Sequence, residues 1–257
     1  MRIEKLGGLT VRITGGTDGK GGGHGPVVVL LHGFGAPGDD LVALGEYMDV
    51  PAGTRFLFPE APISIPMGFG DSRAWWMIDM ARIQADRAAG KIRDMSGEVP
   101  RGMPEARERM RLFLEDLHKK FGVEPSRTIL GGFSQGAMLS CDALLHSQQS
   151  YAGLVQLSGT LVAQGEWSPL LAKRKGLPVF QSHGTQDPIL AYAMAERLRE
   201  SMSALSQLNR NLESEVKRRT RQLRLAYAFT SVLNSPIDRS GDAMDAADLT
   251  VMLDQAL

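Results

Sequence analysis

The sequence predicts an α/β fold, a mostly parallel sheet with helices on both faces. Three observations carry that reading. Short apolar, β-branched runs recur along the chain without strict alternation, the pattern of strands covered on both sides. Amphipathic stretches of helical period separate them. Apolar residues make up 43% of the 257 residues and charged residues 23%, enough to build a sizeable core.

Leu9 to Thr14, LTVRIT, reads as a first short strand. Gly15 to Gly25 follows as a connection in which seven of eleven residues are glycine. PVVVLL, from Pro26 to Leu31, is apolar throughout and reads as a buried strand. Similar runs occupy Arg55 to Phe58, Thr128 to Gly131, Ala152 to Leu157 and Pro178 to Gln181. The clearest helix spans about Pro104 to Phe121, with Ala106, Met110, Phe113, Leu114, Leu117 and Phe121 on one stripe. No convincing strand follows Gln181.

From Leu198 to Leu233 a seven-residue repeat can be laid down instead. One seam holds Leu198, Leu205, Leu212, Arg219, Ala226 and Leu233, and the other Met202, Asn209, Val216, Leu223 and Thr230. The boundary therefore falls between an α/β domain over residues 1–205 and a heptad-patterned helix with an acidic tail over 206–257. Either one long surface helix or a coiled coil fits the pattern. The second would make a homodimer through residues 198–233.

Composition excludes several function classes. The 29 Lys and Arg balance the 29 Asp and Glu, which argues against nucleic acid or an anionic membrane surface as the main partner. The single cysteine, Cys141, rules out an intrachain disulfide framework and a thiolate-rich metal site. No cofactor or metal is expected. The start MRIEKLGG lacks the apolar stretch of a secretory signal, and no run of about 18 apolar residues occurs, so a cytoplasmic protein without a membrane span is expected.

Three motifs carry chemistry. Gly132-Phe133-Ser134-Gln135-Gly136 is G-x-S-x-G between a strand and a helix, the context in which a sharp turn lifts a serine hydroxyl above the sheet. Its ordinary reading is a glycine-rich turn with an unremarkable serine. Leu30-Leu31-His32-Gly33-Phe34-Gly35 follows a strand and can present a backbone N–H, that of Phe34, beside the N–H of Gln135. His32 reads as a loop-shaping residue more readily than as a catalyst. Ser182-His183-Gly184-Thr185-Gln186-Asp187-Pro188 lies past the last strand, where Asp187 could orient an imidazolium or simply cap the start of a helix.

LLHGFGAPGDD, FPEAP, RAWW, GGFSQGAMLS and HGTQDPIL, in that order, resemble the phospholipase/carboxylesterase branch of the α/β-hydrolases, which includes acyl-protein thioesterases. The resemblance covers roughly Leu9 to Leu205. It implies an α/β-hydrolase fold and hydrolysis of a small carboxylic ester, thioester or other acyl substrate. It also implies Ser134 as nucleophile, Asp187 as triad acid, Phe34 and Gln135 as oxyanion donors, and Trp75 beside the acyl pocket. For Trp75 and Trp76, plain core packing is the alternative.

The family's general base is a histidine some thirty residues after the aspartate, behind one more strand. This chain's histidines are His24, His32, His118, His146 and His183, and none lies later. The expectation is therefore a fold lacking its last strand and an impaired hydrolase, with His32 and His183 the nearest substitutes. The alternative is a non-catalytic binding or scaffolding protein that assembles through its carboxyl-terminal helix.

Overall fold

The first strand in the computed structural model is one that the sequence reading passed over. β1 (Arg2–Leu6) turns through Gly7 and Gly8 into β2 (Leu9–Gly16), pairing Leu6 with Leu9. Both glycines hold positive φ, +54° and +83°, as a two-residue turn between twisted strands requires. RIEKL gave no apolar run because β1 is an edge strand, with Ile3 58% exposed.

The described residues are 1–66, 71–90, 94–187 and 189–202, and Met1–Ser203 form one compact unit. The heptad residues beyond Met202 and the acidic tail lie outside them. A short β3 (Lys20–Gly22) within the glycine-rich connection pairs with β2. Next come β4 (Val27–Leu31) and β5 (Arg55–Pro59), then a separate ribbon of β6 (Ile63–Ser64) and β7 (Arg73–Ala74). The helices α1 (Met80–Ala88) and α2 (Met103–Phe121) precede β8 (Thr128–Phe133), α3 (Gln135–His146), β9 (Gly153–Leu157), α4 (Gln164–Leu171) and β10 (Val179–Ser182). Residues 192–202 are helical.

Among the described residues the sheet runs β1-β2-β5-β4-β8-β9-β10. β5, β4, β8, β9 and β10 are parallel, and β1 and β2 antiparallel. Pleating splits β4 between two cores. Val28 and Leu30 join Phe56 and Phe58 against Leu41, Val42 and Leu44 of the segment after β4. α3 packs against β4, β8 and β9, and α2 against α3. The predicted α2 stripe is buried throughout, with Met103 added at its start.

The two ends of the sheet differ. In β4 all five residues are buried, whereas β10 leaves Val179 38% and Phe180 61% exposed. Neighbours on a strand face opposite sides, so β10 is uncovered on both faces. Its described tie to the following helix is Gln181 Nε2 donating to the Ala195 carbonyl at 2.8 Å. No described helix is long and apolar enough to cross a membrane.

Candidate active site

β8 delivers Ser134 to the carboxyl edge of the sheet at φ +52°, ψ −113°, a conformation that costs a non-glycine residue about 1–3 kcal/mol. Its N–H is anchored on the Leu157 carbonyl at 2.8 Å, and its carbonyl accepts the first helical bond, from Met138 N–H at 3.1 Å. The flanking glycines are dictated by backbone approach. A Cβ on Gly136 would run into the carbonyl oxygens of Leu31 and His32, and one on Gly132 would sit 2.7 Å from the Gly136 carbonyl carbon. The end of β4 thus lies directly against the turn. Ser134 is half-buried, and Phe133 before it is 41% exposed with its ring against Gly33.

The Phe34 and Gln135 N–H groups have no acceptor among the described residues. Gln135 follows the serine directly, Phe34 sits in the loop whose preceding residues, Leu31 to Gly33, press on the turn, and the positive end of α3 points at the serine. The loop that carries Phe34 is pinned by Gly35 N–H donating to the Arg73 carbonyl at 2.8 Å and Arg73 N–H donating to the Ala36 carbonyl at 3.1 Å. Glu60 braces it further, bridging Arg12 at 2.8 Å and Arg73 at 3.2 Å.

His32 is buried and both of its ring nitrogens are spent. Nδ1 lies 2.8 Å from the Gly33 carbonyl, so it carries the proton, and Nε2 accepts from Ala61 N–H at 3.1 Å. Burial, partly offset by the Gly33 carbonyl, holds its pKa below the usual 6.5 and keeps the ring neutral. A ring committed in this way has no lone pair for Ser134. Trp75, also buried, donates Nε1–H to the His32 carbonyl at 3.0 Å and packs its ring 5.6 Å from the imidazole. With Trp76, Met77, Pro62, Ile63 and the start of α2, Trp75 lines a cavity of about 530 Å³ that does not include Ser134. It therefore serves both as packing and as cavity wall.

The acid arm is arranged differently. Ser158 N–H donates to the Ser182 carbonyl at 2.8 Å, so the ends of β8, β9 and β10 stand side by side. β9 intervenes, putting β8 and β10 roughly 10 Å apart. Asp187 follows β10, and its Oδ1 accepts from Ile189 N–H and Leu190 N–H, both at 2.9 Å. That is the turn-capping geometry. Its Oδ2 is 3.6 Å from His183 Nε2, which itself donates to the Leu190 carbonyl at 2.8 Å. His183 Nδ1 is buried without a described partner, and its side chain is 2% exposed. Among the described residues no side chain of the acid arm meets Ser134.

Other chemistry-bearing residues are tied up in packing. Asp142, His146 and Glu166 offer ligand atoms within 4.8 Å of one another, but Arg107 already occupies the place of a cation. It binds Asp142 at 2.5 and 3.0 Å and Glu166 at 3.0 Å, while Trp167 Nε1–H donates to Asp142 at 2.9 Å. This cluster joins α2, α3 and α4. Cys141 is fully buried, which pushes its thiol well above the ordinary value and removes it from nucleophilic chemistry.

A family model described as phospholipase/carboxylesterase matches residues 19–231, running past Leu205, where the sequence reading placed its break. An acyl-protein thioesterase 1 of Candida albicans is 30% identical over 67% of this chain and 75% of its own length. The acyl-protein thioesterase 1 of Schizosaccharomyces pombe is 28% identical over 83% of this chain and 93% of its own. Among solved structures, esterase PE8 superposes with a TM-score of 0.60 at 29% identity, over 77% of this chain and 84% of that one. A Bacillus cereus carboxylesterase, at 21% identity and a TM-score of 0.56 over 77% and 81%, shares the fold.

Proposed function

The chain belongs to the phospholipase/carboxylesterase family of α/β-hydrolases, and from that premise we propose that it cleaves carboxylic ester or thioester bonds through an acyl-Ser134 intermediate. One observation carries the reading: a half-buried serine held at positive φ on a strand–helix turn, with the Gln135 N–H next to it and the Phe34 N–H in the adjoining loop, both with no described acceptor. Ser134 Oγ bonds to the carbonyl carbon while the oxygen takes the charge at Phe34 and Gln135. The alkoxide or thiolate then leaves with a proton, and water releases the acid. Thioester cleavage has its precedent in the acyl-protein thioesterases this chain resembles.

The Oγ proton is where this chain falls short. His32 is committed to Gly33 and Ala61, His183 Nε2 to Leu190, and no histidine follows in the sequence. Solvent is left to take the proton, so turnover is slow. Where a serine protease has been dissected, losing the base costs on the order of 10⁶ in kcat and leaves roughly 10³–10⁴ over water.

Imidazole in solution can stand in for the absent ring. Hydrolysis of p-nitrophenyl butyrate, followed with increasing imidazole, is expected to accelerate in the wild type and to stay at the buffer-plus-imidazole background in Ser134→Ala. Identical rates for the two proteins at every imidazole concentration would sink the hydrolytic reading. A non-catalytic binding protein that pairs through residues 198–233 would then take its place.

A further inference from the structure

Three motifs far apart in sequence meet beneath the oxyanion donors in one chain of hydrogen bonds. It starts at Gln135, whose side chain is fully buried. Oε1 accepts from Trp75 N–H at 2.9 Å and Nε2 donates to the Trp76 carbonyl at 2.8 Å, so the amide pairs with the tryptophan segment as a neighbouring strand would. Trp75 continues it through Nε1–H to the His32 carbonyl. His32 then holds the Gly33 carbonyl through Nδ1–H.

That last bond has a geometric consequence. The Gly33 carbonyl and the Phe34 N–H belong to one planar trans peptide and point in opposite directions. Holding the carbonyl therefore aims the N–H. The chain of bonds begins at the residue that owns one oxyanion donor and ends at the peptide that carries the other. Its middle, Trp75 and Trp76, is the wall of the 530 Å³ cavity. Every side chain in it is at most 2% exposed, so no bulk water can replace a lost bond.

We propose that Gln135 is a positioning residue, transmitting contact between an acyl chain and the Trp75–Trp76 wall to both oxyanion donors, so that the acyl chain raises kcat rather than only tightening binding. The inference rests on the acyl-Ser134 reading. Donors aimed at a developing oxyanion tolerate little displacement. Losing one costs about 10²–10³ in kcat, and a misplacement of about 1 Å can cost on the order of 10².

Two variants cut the chain at different links. Gln135→Met keeps length and the backbone N–H but deletes both side-chain bonds, and Trp75→Phe keeps ring bulk but deletes the indole bond. In imidazole, each is expected to lower the kcat ratio of p-nitrophenyl octanoate to p-nitrophenyl acetate by about tenfold or more. The double variant is expected to lose no more than the worse single one, since both sever one path. A merely structural brace would instead scale both esters equally.

A second measurement does not depend on turnover. Octanoate added to the ¹⁵N-labelled wild type is expected to move the Phe34 and Gln135 amide resonances together, and in either variant the Phe34 movement is lost. Equal scaling of both esters, additive losses in the double variant, or a Phe34 amide that does not respond to octanoate in the wild type would each overturn the proposal. If Ser134→Ala matches the wild-type rates while octanoate still moves Phe34 through Gln135, the acyl-Ser134 reading fails and the coupling stands.

Discussion

The loop-and-turn side of the site and the acid arm are built to different standards. Around Ser134 both nitrogens of His32, the Trp75 indole and the Gln135 amide have partners, while the buried Gln156 Oε1 opposite Gly132 has none described. At the acid arm, β10 is uncovered on both faces, Asp187 caps its own loop and His183 keeps a buried nitrogen without a described partner. On the acyl-Ser134 reading, the first region would meet the developing charge, and the second is where a base would be oriented. On that reading the difference teaches that oxyanion stabilisation and proton transfer are separable parts of the chemistry, held by different strands.

The contrast can be broken first at its glycines. Gly136→Ala forces a Cβ into the Leu31 and His32 carbonyls and is expected to destabilise by roughly 3 kcal/mol or more, near the upper end of overpacking. Gly184 has only the Asp187 nitrogen near, at 4.0 Å, so Gly184→Ala is expected to stay within about 0.5 kcal/mol. Thermal melts compare the two, at about 2–4 °C per kcal/mol for a domain of this size. Equal shifts would mean that the turn is no more tightly built than the acid loop.

Histidines give a smaller contrast. His32→Leu leaves the buried Ala61 N–H without its acceptor and frees the Gly33 carbonyl, an expected loss of about 2–3 kcal/mol. His183→Leu gives up one bond, to the Leu190 carbonyl, and removes an unpartnered nitrogen, for an expected loss of under about 1 kcal/mol. Urea denaturation of both variants checks the order, and a reversed order would show that His183 is the better-anchored ring.

The smallest effect is in pH. Burial lowers the His32 pKa below 6.5, so the unfolded chain takes up a proton before the folded one does as pH falls. The contribution to stability is complete above about 6.5 and is lost as pH drops through the lowered folded value. His118, lowered chiefly by burial as well, adds a loss of the same sign. Melting temperature between pH 7 and 5 is expected to fall less in His32→Leu than in the wild type, and an unchanged slope would remove His32 from the account.

Much of this was legible in the sequence because it is local. G-x-S-x-G is five consecutive residues whose glycines report a close backbone approach, and the α2 stripe reports its buried face through periodicity alone. β1 was missed because an edge strand needs no apolar run. Among the described residues β10 ends the sheet, and the expected lack of a later strand falls on residues outside them. The identity of His32 as a committed ring, the double use of the Gln135 amide and the tie from Trp75 were not legible, since their partners lie 29, 60 and 43 residues away.

By itself, then, the sequence determined the strand–helix order, the serine turn and the want of a late histidine, because each is written in neighbouring residues or in a count. Tertiary structure alone decided which nitrogens are spent and which N–H groups are left without an acceptor among the described residues. Those choices depend on where FPEAP and RAWW come to rest against the HGFG loop. Only the closed sheet brings the three together, and only then does a planar peptide turn one carbonyl's hydrogen bond into the aim of the next N–H.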